Sequence, residues 1–193
     1  MQNVNKIIEE ALFGNADTSQ HGITLFALVC SLRAKSVLEL GVRNGGTTIP
    51  FLQALKMTNG HLTSVDINQP QFQVEDNHWT FIKSDSLEFL KNRHTNEKYD
   101  LIYVDDWHST EHVYKELQYI KHMLTDTTLI VLHDLMHSYS HPRYNTNQYP
   151  LDHEFGGTGP HGGVEKFVKE NPNFEFATIP VNHGLTIMRK VLN

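Results

Sequence analysis

The sequence predicts an α/β fold built on a parallel sheet, and three observations carry that reading. Five short apolar runs rich in β-branched residues, 36–40, 61–65, 79–82, 100–104 and 128–132, alternate with helical or loop segments. Continuous apolar strands separated by crossovers belong to a parallel sheet buried on both faces. A glycine-rich turn, VLELGVRNGGTT at 37–48, leaves the first run and opens a helix. Near the C-terminus, 174–179 and 185–189 bracket turn residues 182–184, an antiparallel hairpin that brings the sheet to seven strands.

From the N-terminus, Val4, Ile7, Ile8, Ala11 and Leu12 recur at helical spacing and Gly14 closes the run, so the chain opens with an amphipathic helix. A second helix is expected over 23–34, which places N-terminal helices within 3–34. The crossover at 47–57 carries Pro50 in its first turn, where the missing N–H costs nothing. The 67–78 stretch, with Pro70, has little periodicity, whereas 86–93 reads as a short helix. Val113, Leu117, Ile120 and Leu124 mark the inner stripe of a longer one. Residues 135–163 hold Pro142, Pro150, Pro160 and turn-forming Gly and Asn without periodicity, the pattern of a lid or substrate loop. A short helix over 164–170 then leads into the hairpin.

At 193 residues the chain suits a single domain, 1–193, able to bury its own core. Hydrophobic residues at 39% and charged residues at 20% are an ordinary globular balance. The net charge of −6 argues against nucleic acid and anionic membrane as partners, because both are gripped by clustered Lys and Arg. The longest apolar stretch, 23–30, falls far short of a membrane span, and the opening MQNVNK has no signal-peptide pattern. The single Cys30 reads as a buried small hydrophobe, which fits a cytoplasmic location.

In the glycine turn, Gly41 lets the chain leave the strand sharply, and Gly45 and Gly46 let a ligand approach the free N–H groups of the following helix. A ligand-free tight turn is the alternative. A dinucleotide fingerprint is spoiled by Arg43 in the second glycine's place, while Asp66 closes the second strand where a carboxylate can accept both ribose hydroxyls. From about residue 22 onward this ordered set resembles the class I S-adenosylmethionine-dependent methyltransferases. The resemblance implies a Rossmann-like doubly wound sheet of five parallel strands plus the antiparallel hairpin. It also implies that Glu39, Gly41, Gly45, Gly46 and Thr47 line the cofactor, that Asp66 binds its ribose, and that Asp85 and Ser86 lie by its adenine. Asp85 and Glu88 equally fit a helix-start pattern, and the two roles are compatible.

The fourth and fifth strands end in VDDWHSTEHV and LIVLHDL. Carboxyl ends of adjacent parallel strands face one crevice, so Asp105 should meet the His133-Asp134 pair there. Two buried carboxylates converge at a cost unless a cation neutralises them. Asp106 is assigned instead to the helix dipole, capping the helix that begins near Ser109.

Asp105-Asp106-Trp107-His108 further resembles the metal-dependent small-molecule O-methyltransferases of the catechol, macrocin and cephalosporin-type group. That likeness implies a divalent cation on Asp105, His133 and Asp134, with Asp105 also beside the cofactor and Trp107 as a wall. Magnesium prefers oxygen, so direct ligation by His133 points to manganese or another transition metal, and an indirect role leaves magnesium. His108 stands where the catechol enzymes place a catalytic Lys and is the expected base, with Asp105 and Asp134 acting through the metal.

The expected reaction is therefore S-adenosylmethionine-dependent methylation of a hydroxyl on a small molecule (sugar, polyol or natural product). Tyr139, Tyr144, Tyr149 and His161 would line the lid. An NAD-dependent oxidoreductase, a metal hydrolase built on His133, Asp134, His137 and His141, and a non-catalytic binder are the competing readings. The amphipathic first helix also permits a homodimer.

Overall fold

The computed structural model describes residues 4–14, 17–72, 74–143 and 149–191. In chain order the elements are α1 (Val4–Phe13), a 3₁₀ turn (Ser19–His21), α2 (Gly22–Leu32), β1 (Ser36–Leu40), α3 (Thr48–Thr58), β2 (His61–Asp66), β3 (Trp79–Lys83) and α4 (Ser86–Arg93). They continue with β4 (Tyr99–Val104), α5 (Thr110–Ile120), β5 (Leu124–His133), α6 (Gly159–Glu170), β6 (Phe174–Ile179) and β7 (Leu185–Lys190).

The strands form one seven-stranded sheet in the order β3-β2-β1-β4-β5-β7-β6. β1 to β5 are mutually parallel, and β7 runs antiparallel to both β5 and β6. Alternate side chains of each central strand feed two cores. Leu38, Leu40, Ile102, Val104, Ile130 and Leu132 pack toward α4, α5 and α6. Val37, Leu101, Tyr103 and Val131 pack toward α2 and α3. This two-sided burial is why the strands read as unbroken apolar runs.

Register positions the site. Val65, Leu40, Val104 and Leu132 are aligned across β2, β1, β4 and β5. The next residues, Asp66, Gly41, Asp105 and His133, therefore emerge together at one rim, on either side of the β1/β4 point where strand order reverses.

Three local expectations are corrected. α6 starts at Gly159 rather than 164, with Pro160 in its first turn. Gly162 and Gly163 weaken a helix intrinsically, but here they let α6 approach α5, since a Cβ on Gly163 would sit 2.9 Å from the Thr110 carbonyl oxygen. Leu124 does not end the α5 stripe; α5 stops at Ile120, and Leu124 pairs with Tyr99 as the first residue of β5. Asp106 does not cap α5, because Ser109 does so by accepting a hydrogen bond from the His112 N–H. Among the described residues no helix is long and apolar enough to cross a membrane.

Candidate active site

One cleft of about 1250 Å³ lies along the rim of strand ends. Of the residues expected to hold the cofactor, Gly41, Gly45, Gly46, Thr47, Asp66, Asp85, Ser86 and Asp105 all line it. His108, Asp134 and Trp107 line the same cleft, joined by Lys6 and Glu10 of α1, which nothing in the sequence marked.

Asp66 holds the glycine turn in shape. Its Oδ2 accepts from the Val42 N–H at 2.9 Å and the Arg43 N–H at 3.1 Å, while Oδ1 accepts from the Asn68 N–H at 2.8 Å. Carboxylate oxygens have spare lone pairs, so the group can still receive a ligand hydroxyl. Gly41 is required for a backbone reason: at φ 89° its absent Cβ would lie 2.2 Å from the Asp105 carbonyl oxygen. The space beside Gly45 is filled by the Phe72 ring, which would lie 2.6 Å from a Cβ there, so this glycine admits a side chain of the chain itself. Asp85 caps α4, accepting from the Glu88 N–H at 3.0 Å, and faces the cleft as well.

Glu39 is not part of the cleft wall. It is fully buried behind the turn, accepting hydrogen bonds from Thr47 at 2.6 Å, Thr48 at 2.9 Å and Ser64 at 2.5 Å. Burial pushes its carboxyl up to about 7, although the three hydroxyls oppose the rise. Its place is to support Thr47, which does line the cleft.

Elsewhere in the cleft three groups converge. His108 Nε2 lies 2.9 Å from Asp134 Oδ2 and 3.4 Å from Asp105 Oδ1. Asp134 adopts the left-handed φ of 65°, which turns its carboxylate back from the end of β5. Tyr103 donates to Asp105 Oδ2 at 3.0 Å and fixes its plane. His133 sits beneath, donating from Nε2 to the Asn182 carbonyl at 3.1 Å, with Nδ1 at 3.5 Å from Asp105 Oδ1 and 3.3 Å from Asp134 Oδ1. It is buried and not on the cleft wall.

Burial alone would lower both histidines. The hydrogen bonds of His108 to Asp105 and Asp134 outweigh it there, raising His108 to about 10, and the charges of the same two acids raise His133 to about 11. The same partners hold both carboxyls below the ordinary carboxylate range against burial. Asp134 Oδ1 and His133 Nδ1 are nevertheless buried without a hydrogen-bond partner. Two carboxylates, an imidazole at the cleft and orphaned donor atoms fit a divalent cation, with Asp105, His108 and Asp134 close enough to share one.

The 135–163 segment contributes differently from expectation. His137, Glu154 and Phe155 reach the cleft, whereas Tyr139, Tyr149 and His161 are not on its wall. Tyr144 lies outside the described residues. Phe155 stacks on His108, ring centres 5.4 Å apart and 10° from parallel, a contact no spacing rule could reveal. His137 and His141 do not join Asp134 and His133: the Nδ1 atoms of His137 and His141 accept from the Tyr139 and Arg143 N–H groups. A second polar group was also missed. Asp106, His112 and Glu116 meet beside Ser86, and the only sequence signal was the one-turn spacing of His112 and Glu116.

A protein-family model described as a methyltransferase domain matches residues 38–135, just over half of the 193-residue chain. The chain belongs to that family. Solved structures agree on the fold. An SAH-bound methyltransferase, PaMTH1, from Podospora anserina superposes with a TM-score of 0.68 at 18% identity, covering 97% of this chain and 88% of its own. The O-methyltransferase TomG from Streptomyces achromogenes, in complex with SAM, gives 0.67 at 15%, covering 100% and 92%. An O-methyltransferase from Bacillus cereus in complex with SAH gives 0.62 at 16%, covering 97% and 92%. No curated protein matches the sequence. The methyltransferase family sets aside an NAD-dependent oxidoreductase, in line with Arg43 in the glycine turn.

Proposed function

We propose that this methyltransferase transfers the methyl group of S-adenosylmethionine to a hydroxyl of a small molecule, assisted by a divalent cation. The observation that carries the reading is the meeting of Asp105, Asp134 and His108 in the same cleft that Asp66 and the glycine turn line. The neighbours of the same fold that hold SAH or SAM support the cofactor, and those titled O-methyltransferases support oxygen as acceptor.

In this reading Asp66 takes the ribose hydroxyls, Thr47 and the turn flank the amino-acid end, and Ser86 with Asp85 border the base. Asp105 and Asp134 hold the cation, with His133 set behind them. When bound, the cation supplies charge that lowers the acceptor hydroxyl's pKa and fixes its direction. His108 Nε2 faces the same point; the charges of Asp105 and Asp134 hold its own proton, and a cation offsetting them would free the ring to take the acceptor's proton. Displacement at a sulfonium methyl is in line, so the cleft's main task is alignment. Trp107 and the stacked rings of Phe155 and His137 line the cleft, while Glu154, with Oε1 3.8 Å from His108 Nδ1, adds a polar edge. That mixture suits a ring bearing several hydroxyls, a sugar, polyol or polar natural product.

The test is release of S-adenosylhomocysteine from S-adenosylmethionine with magnesium or manganese and a panel of sugars, polyols and phenols, with and without chelator. Chelator-sensitive release with at least one acceptor is expected. No release with any acceptor, together with no thermal shift by S-adenosylhomocysteine, would overturn the assignment.

A further inference from the structure

The Asp106, His112 and Glu116 group follows the tip of β4: Asp106 and His112 line the same cleft as His108, with Glu116 buried behind them, and none of the three has a part in the reaction above. Glu116 projects from the middle of α5 yet is fully buried. Its Oε1 is 3.4 Å from His112 Nε2, and neither of its oxygens meets a well-aligned donor. Asp106 Oδ2 is 3.2 Å from the same Nε2, and its Oδ1 is likewise buried without a partner. Ser86 Oγ, from the first turn of α4, is 3.0 Å from that nitrogen. One ligand atom each from Asp106, His112 and Glu116 thus lies within 4.8 Å of the other two, contributed by the end of β4 and by α5.

We propose that Asp106, His112 and Glu116 form a second divalent-metal site that takes zinc and has a structural role. A tetrahedral zinc with bonds of about 2.0–2.1 Å spaces its ligand atoms about 3.3 Å apart. The Asp106 and Glu116 oxygens stand 3.2 and 3.4 Å from His112 Nε2, on either side of that value. Imidazole with two carboxylates is a zinc donor set rather than a magnesium one. The charges also balance, because two carboxylates neutralise one divalent ion. Without an ion the two carboxylates have only the His112 imidazole between them, and Glu116 keeps buried oxygens with no hydrogen-bond donor. The ion would tie α5 to the end of β4 and so fix the backbone that presents the adjacent Asp105.

The experiment uses the whole chain, stripped with chelator and titrated with zinc chloride, with bound zinc counted by elemental analysis after gel filtration. Glu116→Gln and His112→Ala should each bind one equivalent of zinc fewer than wild type, and Asp134→Asn should lose a different equivalent. Asp134→Asn should still gain thermal stability from zinc, and the Asp134→Asn/Glu116→Gln double variant should not. Anomalous scattering at the zinc edge from wild-type crystals should show density between Asp106, His112 and Glu116, which decides the matter even where a variant fails to fold. An unchanged zinc count in folded Glu116→Gln, or wild-type density absent from that point, overturns the proposal, and neither result bears on the Asp105–Asp134 site.

Discussion

His108 Nε2 approaches Asp134 Oδ2 to 2.9 Å, so an imidazole nitrogen stands at the point toward which the two strand-end carboxylates converge. In chelator-treated protein this ring and His133 carry the positive charge that the acids require. Their folded values, about 10 and about 11, lie above the ordinary 6.5. A raised base stabilises fully below its unfolded value, and that stabilisation is lost as pH rises toward the folded one. The melting temperature of the chelated protein should therefore fall between about pH 6.5 and 10. With saturating manganese the fall should shrink, because the ion then supplies the charge. Thermal unfolding across this range, with and without chelator, checks it, and a flat chelated profile contradicts the coupling.

Replacing His108 by Ala should lower kcat by about 10²- to 10⁴-fold, the usual worth of a positioned general base. Affinity for S-adenosylhomocysteine should change little, because His108 meets Asp105 and Asp134 rather than the glycine turn that Asp66 holds. A matching loss of cofactor affinity, read by calorimetry, would reassign the residue to binding.

Asp134→Asn and Asp105→Asn should each reduce turnover by about 10²-fold or more, the rate equivalent of roughly 3 kcal/mol of lost charge stabilisation. Each should also raise the manganese concentration needed for half-maximal rate. A variant with normal rate at the wild-type manganese concentration would remove that carboxylate from the site.

Much of this architecture was legible because it rests on period and register. The β4 side chains feed both cores, so that strand reads as a continuous apolar run, and the in-register ends of β1, β4 and β5 make Asp105 and Asp134 neighbours. What stayed hidden depends on three-dimensional contact. Gly162 and Gly163 read as loop until α5 is seen pressed against them, and Gly159 until Ser140 is seen beside it. Glu39 sits in the motif expected to line the cofactor, yet its side chain follows Val37 to the α3 face, where Thr47 and Thr48 claim it. Glu116, fully buried on α5 beside His112, carries no local sequence signal of that burial, which depends on what packs across the helix.

Gly41→Ala tests the closeness of the β1 and β4 ends. The new Cβ would fall 2.2 Å from the Asp105 carbonyl oxygen, on a backbone at φ 89°. Left-handed strain of about 1–2 kcal/mol and overpacking of about 1–3 kcal/mol should together destabilise by about 2–5 kcal/mol. Because the clash displaces the residue that carries Asp105, metal-stimulated turnover should drop even at temperatures where the variant is folded. Urea unfolding gives the first quantity, and the manganese dependence of the rate gives the second.

Glu39 offers a stability test with the opposite sign to the usual acid. Its folded value, about 7, lies above the unfolded 4.5, chiefly because burial disfavours the charged form and despite three hydroxyl donors. The folded state thus holds a proton that the unfolded state has released, and this contribution to stability is lost as pH rises from about 4.5 through 7. Glu39→Gln keeps a carbonyl acceptor for Thr47 or Thr48 and removes the titration. Urea unfolding at pH 5 and pH 8 should show the variant gaining on wild type at the higher pH, with cofactor affinity nearly retained. Glu39→Leu, which leaves the Thr47, Thr48 and Ser64 hydroxyls without that acceptor, should lose stability at both pH values and weaken S-adenosylhomocysteine binding through Thr47. Parallel pH profiles for wild type and Glu39→Gln would show that Glu39 stays ionised behind the turn.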